Sequence, residues 1–421
     1  MKNITGFLKF LVYVRIALHV AVKYLFKLKP TEYLRFLRRA LILLLNFRYH
    51  AIVRVPNGYK LQLYLPAYPS WAFFRTIESK LIDKPAGPAT IVYSITKACD
   101  YKCGHCYQRN DKGGDLTDEK LIETALEIRD AGVTMFDIEG GEPLLRLKRL
   151  CRLLESLNEG VETWVNTHGG SVDEAKLEAL KKAGTFGLMI SIHSPNADEH
   201  DRLTGVEGSF EAACRAVELC KKAGLVAAVN SVLTREQLED GQLDELMELT
   251  RKLGCDFVQL IHPKPAGMWL GASEQIKQNE KNIKYVEEKH RLYNSGKRKD
   301  YPAMAAQVFE ERKDSLGCTA GAIDRFYVNA AGEVQPCEFL NISFGNVNDE
   351  AFEDILKRMR SYFKEPCCDW LCCTMSPQIV KLIEKHGLEA TPVPWKYTKE
   401  LVDVWDRGEP TRLYRRLGIY G

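Results

Sequence analysis

The chain has 421 residues, is 45% hydrophobic and 27% charged, and carries 59 Lys and Arg against 56 Asp and Glu with 13 Cys. That apolar length suits one large domain with smaller additions and excludes a disordered or collagen-like polymer. The net charge of +3 conceals an asymmetry: residues 1–50 hold ten Lys/Arg and one acid, Glu32, so this segment is +9 and the rest of the chain −6.

In the first thirty residues an apolar run is broken by Lys9, Arg15, Lys23 and Lys27. No window offers the ~18 uncharged residues that a membrane-spanning helix needs, and no small-residue cleavage site marks a secretory signal. Pro30 is expected to end this helix, and a second runs from Thr31, its expected cap, to about Phe47. Two successive cationic amphipathic helices predict an arm over 1–50 that lies on an anionic membrane surface. A hairpin packed on the body with solvated charges is the alternative. Nucleic acid is not expected, because the cations are interleaved with aliphatic residues.

Residues 51–89 read as hairpin and connector. Runs at 52–55 and 59–64 flank Pro56-Asn57-Gly58, an aromatic segment occupies 68–74, and a breaker stretch occupies 84–88. From 90 onward, strand-length apolar runs alternate with stretches of helical period. Strands are expected at about 90–96, 133–138, 161–166, 186–192, 225–232 and 256–262, with helices at 117–131, 146–157, 173–183, 208–223 and 235–253. This is an α/β pattern of βα units on a parallel sheet, and six units suit an open or partial barrel. Ligands of such sheets sit at the carboxyl ends of the strands. There the sequence places Cys99-x3-Cys103-x2-Cys106, then Glu139-Gly140-Gly141-Glu142-Pro143, Asn166-Thr167-His168, Ser191-Ile192-His193, Asn230-Ser231, and Gln259 with His262.

An odd number of clustered cysteines in a large chain argues for metal chemistry in a reducing, cytoplasmic compartment and against a disulfide scaffold. Three thiolates on one loop can hold three irons of a cubane and leave the fourth iron open to a ligand. Zinc is the competing reading, with His105 as a fourth ligand, and a structural or zinc-binding protein is the alternative function. Cys151, Cys214, Cys220 and Cys255 stand among apolar residues and read as core.

Cys99, Cys103 and Cys106, with His105 before the last of them and Gly140-Gly141-Glu142-Pro143 after the next strand, resemble the radical SAM superfamily. The resemblance implies a partial (β/α)6 TIM-like barrel over about 90–310. It also implies a [4Fe-4S] cluster whose open iron binds S-adenosylmethionine (SAM), reductive cleavage to a 5′-deoxyadenosyl radical, and hydrogen abstraction from a substrate. By the same resemblance, the stretch from Gly140 through Pro143 receives the SAM ammonium, Ser191 and Asn230 contact its ribose or methionyl part, and His105 borders the adenine. The stretch from His200 to Gly205 departs from the family at Thr204, where an Arg is expected.

Beyond the barrel, Cys318, Gly332-x4-Cys337 and the group Cys367, Cys368, Cys372 and Cys373 resemble the SPASM/twitch auxiliary-cluster extension, here over 311–375, with a hairpin around Gly332 and a helix at 352–359. The family's full cysteine set is not present, so one auxiliary [4Fe-4S] cluster is expected. The expected ligands are Cys318, Cys337, one of Cys367 and Cys368, and one of Cys372 and Cys373. Residues 376–421 read as a helical tail. Implied partners are an electron donor such as ferredoxin or flavodoxin and a peptide, protein or lipid substrate, the lipid reading motivated by an arm at the inner face of the membrane.

Overall fold

A computed structural model of the chain describes residues 3–82, 87–157 and 160–420. Lys84, Pro85 and Ala86 of the expected breaker stretch lie outside these. The short strands β1 (Asn3–Ile4), β2 (Ile52–Val55) and β3 (Gly58–Lys60) form one small sheet. The large sheet contains β4 (Thr90–Ser94), β5 (Met135–Glu139), β6 (Glu162–Thr167), β7 (Gly187–Ser191), β8 (Val226–Val232), β9 (Phe257–Ile261), β10 (Ala303–Ala306), β11 (Arg325–Val328) and β12 (Val334–Gln335), in the order β10-β9-β8-β7-β6-β5-β4-β11-β12. Among the described residues of this large sheet only the β11–β12 pair is antiparallel.

The six expected strands are the central run of this sheet, and the structure adds a parallel strand on each side. The strand β10 carried no strong signal, because it is four small or unbranched residues, whereas β11 and β12 are the two arms of the hairpin expected around Gly332, and what the sequence did not indicate is the pairing of β11 with β4. Since β11 pairs with β4 from Arg325↔Thr90 to Val328↔Tyr93, the cysteine-rich segment is joined to the barrel through one continuous sheet.

Period-two alternation divides each strand between two cores. In β5, Phe136 and Ile138 pack under the helices, while Met135 faces the lumen. The outer layer includes α4 (Asp118–Asp130), α5 (Leu147–Ser156), α6 (Glu174–Lys182), α7 (Ala197–Thr204), α8 (Ser209–Lys222), α9 (Arg235–Glu239) and α10 (Gln242–Lys252). The α4 helix starts where expected, the Thr117 hydroxyl accepting from the Lys120 amide at 3.2 Å. The expected helix at 235–253 is two helices, because Gly241 at φ +82° breaks it. The α7 helix was not expected.

The N-terminal region closes the base of the barrel. Ala51, Val53, Val55, Leu63 and Ala67 pack on Met135, Trp164, Val226, Phe257 and Ala303 at the amino ends of the strands. Outside this plug lie α1 (Gly6–Leu25), α2 (Pro30–Asn46) and α3 (Trp71–Leu81). The α1 helix buries Val12, Ile16, Val20 and Tyr24, one residue per turn. Pro30 opens α2 where Thr31 was expected to cap it: its fixed φ suits a first helical position, and the Glu32 carboxylate accepts from the Lys29 amide at 3.1 Å. The helix Arg412–Leu417 packs on Ile42 of α2. The buried Arg39 guanidinium holds this contact by donating to the Leu417, Gly418 and Leu81 carbonyls at 2.9, 2.6 and 2.7 Å. Among the described residues no helix is long and apolar enough to cross a membrane.

Candidate active site at the carboxyl rim of the barrel

The loop after β4 carries Cys99, Cys103, His105 and Cys106, and these line one wall of a cavity of about 480 Å3. Gly140, Gly141, Asn166, Ser191, His193, Asn230, His262 and Lys264 line the others, so the carboxyl ends of β5 to β9 or the loops that follow them all contribute. Ser191 and Asn230 are register partners across β7 and β8. Glu142 and Pro143 are not on the cavity surface. Glu142 is fully buried behind it, accepting from the Thr167 hydroxyl at 2.9 Å and from the His168 and Leu144 amides at 3.0 Å each. Burial raises the pKa of its carboxyl, against the pull of the His168 ring.

The glycines are required by close approach. A Cβ on Gly140 would stand 2.4 Å from the Thr96 carbonyl oxygen, and one on Gly141 would stand 2.3 Å from that of Ala98. The β5 loop and the root of the cysteine loop are thereby pressed together, with the Gly141 and Glu142 amides donating to Thr96 and Ala98.

The donor set fits a cubane cluster better than a single ion. A tetrahedral zinc draws thiolates together at about 2.3 Å from the metal. Among the described residues the one group of ligand atoms within 4.8 Å of one another is Cys99, Asp100 and His168, so the three loop thiols do not converge on a single ion. Burial pushes the Cys103 thiol up to about 12 and raises Cys99 and Cys106 as well, so metal binding there must displace protons. A polar ligand also has acceptors waiting, because Asn166 Oδ1 and Asn230 Oδ1 are buried without hydrogen-bond partners among the described residues. His105 meets His193 edge-on at 4.4 Å between ring centroids and tilts toward Trp269 at 5.8 Å. Burial lowers the pKa of both imidazoles, that of His105 to about 4, so this wall is neutral.

The tail cysteines come from three stretches of the cysteine-rich segment. The Cys318 and Cys367 backbones pair through N–H···O bonds of 2.8 and 3.3 Å, and their thiols are hydrogen-bonded. Cys372 is buried and Cys373 half-buried beside it in the first turn of the helix Leu371–Lys385. Cys368 points away, its sulfur 3.7 Å from the Lys313 carbonyl. Of the lone cysteines, Cys220 and Cys255 are buried, while Cys151 and Cys214 are half-buried against the same core.

Several lining residues escaped the reading of the sequence. Tyr107 donates to Glu139, which also accepts from the Gln108 amide at 2.8 Å, so the residues after Cys106 reach into the lumen. Trp269 and Phe339 reach the cavity from long loops whose path no periodicity foretells. Lys264 had a usable signal: it lies between two prolines just after the last expected strand.

Family models match residues 93–250 (radical SAM superfamily) and 318–374 (SPASM, an iron-sulfur cluster-binding domain). The AdoMet-dependent heme synthase of Oleidesulfovibrio alaskensis is 26% identical over 304 residues, 65% of this chain and 76% of that protein. The PqqA peptide cyclase of Gluconobacter oxydans is 26% identical over 305 residues, 67% and 82% of the two chains. The crystal structure of Streptococcus suis SuiB bound to the precursor peptide SuiA shares the fold, with a TM-score of 0.52 at 18% identity over 71% of this chain and 73% of that one. The chain therefore belongs to the radical SAM superfamily, an enzyme that uses a [4Fe-4S] cluster and SAM and carries a SPASM domain for auxiliary iron–sulfur binding.

Proposed function

We propose that Cys99, Cys103 and Cys106 ligate the SAM-binding cluster and that the reaction is hydrogen abstraction from a peptide or protein. The observation that carries this reading is the placement of three thiols on one loop of a 480 Å3 cavity, facing the glycine wall of Gly140 and Gly141. When bound, the cluster and SAM supply a 5′-deoxyadenosyl radical. The chain's own residues bind and orient. Backbone groups at Gly140 and Gly141, which line the cavity, would accept from the SAM ammonium. Glu142 ties the β5 and β6 rims together by accepting from Thr167 and His168. Ser191 and Asn230, adjacent across the sheet, offer a hydroxyl and a free amide oxygen to the ribose or methionyl part. His105 and His193 present neutral rings to the adenine.

The peptide reading is supported by relatives named as a PqqA peptide cyclase and, in Bacillus subtilis, as the antilisterial bacteriocin subtilosin biosynthesis protein AlbA. In this chain, the Asn166 and Gln108 amides beside Tyr107, Trp269 and Phe339 offer the mixture of hydrogen bonding and apolar contact that a peptide needs. The auxiliary cluster is assigned to Cys318, Cys337, Cys367 and one of Cys372 and Cys373, and electrons come from a ferredoxin or flavodoxin. Anaerobically reconstituted protein given SAM and dithionite is expected to release 5′-deoxyadenosine, and Cys103→Ala to release none. Absence of that product from cluster-loaded wild type would sink the proposal.

A second observation bears on where the enzyme works. Phe7, Leu11, Leu18 and Val22 form an exposed row on α1, Phe26 follows it, and Leu34, Leu41 and Leu45 are exposed on α2. Arg15, Lys27, Arg35 and Arg38 are exposed beside them. Between the helices an apolar cavity of about 290 Å3, lined by Ile16, Val20, Leu37, Leu44 and Leu417, has room for part of an acyl chain. This pattern supports peripheral attachment to an anionic membrane surface, at the inner face of the membrane. Sedimentation with phosphatidylglycerol vesicles is expected, and the triple change Leu18→Glu, Val22→Glu, Phe26→Glu should abolish it. Wild-type protein left in the supernatant would remove this reading.

A further inference from the structure

Lys264 stands in the loop after β9, between Pro263 and Pro265, whose fixed φ angles hold its backbone. Its side chain is 4% exposed, and Nζ has no hydrogen-bond partner among the described residues. What Nζ does meet is the face of Trp370, 3.0 Å from the ring centroid. A buried ammonium without an anion is costly, and a cation–π contact alone offsets only part of that cost.

Two acids of the cysteine-rich segment, Glu311 and Glu338, are already engaged. Glu338 accepts from the Cys337 thiol at 3.0 Å, and Glu311 pairs with Arg325 at 3.2 Å. One face of the Lys264 ammonium meets Trp370, which stands in the chain between Cys368 and Cys372. On its other side, Lys264 lines the cavity that holds Cys99, Cys103 and Cys106. Trp370 spans the same wall, its ring 4.7 Å from that of the cavity residue His262, with Cys372 two residues along the chain.

We propose that Lys264 is the built-in countercharge of the auxiliary cluster, a positioning residue that raises the cluster's reduction potential from the wall shared with the substrate cavity. A cubane held by four thiolates is an anion, and reduction adds one more negative charge. A fixed cation in a site of low dielectric therefore stabilises the reduced form more than the oxidised one. The cation is stranded in the metal-free protein and paired once the cluster forms. This proposal rests on the assignment of the tail cysteines to an auxiliary cluster.

The test uses the full-length chain carrying Cys99→Ala, Cys103→Ala and Cys106→Ala, so that only auxiliary iron remains, with a redox titration followed by electron paramagnetic resonance. Failure to bind iron in this background would count against the cluster assignment itself. With iron bound, Lys264→Met is expected to shift the midpoint to lower potential and Lys264→Arg to keep it near the parent value. Loss of iron from Lys264→Met alone would likewise support a role for the charge. An unchanged midpoint in Lys264→Met, or loss of iron from both variants, would overturn the proposal. A second readout is the melting temperature of the metal-free protein. Lys264→Met should raise it by removing a stranded cation, and a lower value would overturn the premise that the ammonium lacks a partner.

Discussion

Lys60 Nζ lies 2.5 Å from Glu162 Oε1, with both side chains buried at the base of the barrel. The carboxylate also accepts from the Ala67 amide at 2.7 Å and from the Trp164 indole at 2.8 Å, while Lys60 donates to the Leu65 carbonyl at 2.7 Å. One ion pair thus fastens the N-terminal hairpin to the barrel. Burial lowers the Lys60 pKa, against the pull of Glu162. Removing one partner leaves the other charged and buried, which costs about 3–5 kcal/mol, whereas replacing both with apolar residues costs far less. Lys60→Met should therefore lower the urea midpoint sharply, and Lys60→Met with Glu162→Met should recover most of the loss. A single variant within about 1 kcal/mol of wild type would show that the plug is held by apolar packing alone.

Gly141→Ala tests the contact between the cysteine loop and the β5 loop. The added methyl group would press on the backbone of Ala98, one residue before Cys99, and backbone cannot rotate away as a side chain can. Overpacking of this kind costs about 1–3 kcal/mol. The displacement falls on the first of the three clustered thiols. Iron content after reconstitution should drop, and SAM affinity should fall at least tenfold, as read by equilibrium dialysis. Wild-type iron and affinity would show that the loop relaxes freely.

The barrel was legible because its signals are local and repeated. Each strand from 90 to 262 is an apolar run bounded by a turn, and the polar residues that follow it all fall on one rim, so Cys99, Gly140, Ser191 and Asn230 could be placed together before any geometry was known. The rest depended on long-range contacts. Nothing local in Ala303-Met304-Ala305-Ala306 says that it pairs with β9, and nothing in 52–64 says that its apolar face plugs a barrel base. Glu142 could be found by its motif, but its burial behind the cavity follows from Thr167 and His168, residues of a different loop. The adjacent tail cysteines could not be separated by spacing alone, because only the fold turns Cys367 toward Cys318 and Cys368 toward Lys313.

That difference makes a prediction about iron. Cys367 shares a hydrogen bond and a backbone bridge with Cys318, whereas Cys368 makes neither contact. Cys367→Ala and Cys318→Ala should each lose about four irons per chain after reconstitution, and Cys368→Ala should lose none. The count by inductively coupled plasma spectrometry, with the Mössbauer spectrum as a check on cluster type, decides it. Iron loss on substitution of Cys368 and retention on substitution of Cys367 would reverse the assignment.

Asp137 carries the last prediction, one of pH dependence. Its carboxyl is buried in the lumen wall on β5, with Oδ1 lacking a partner among the described residues, and burial pushes its pKa up to about 7. In the unfolded chain the same group titrates near 4. Between those values the folded protein binds more protons than the unfolded one, so stability falls as pH rises through this window and the contribution is gone above about 7. For one such group the loss between pH 5 and pH 8 is about 2–3 kcal/mol. Asp111, also raised to about 7 by burial, adds a similar loss. Asp137→Asn removes one of the two titrations while keeping the shape of the side chain. In urea unfolding of the metal-free protein, wild type should be less stable at pH 8 than at pH 5. The variant should lose less over that interval and exceed wild type at pH 8. Identical pH profiles for the two proteins would mean that Asp137 is solvated enough to ionise freely in the folded barrel.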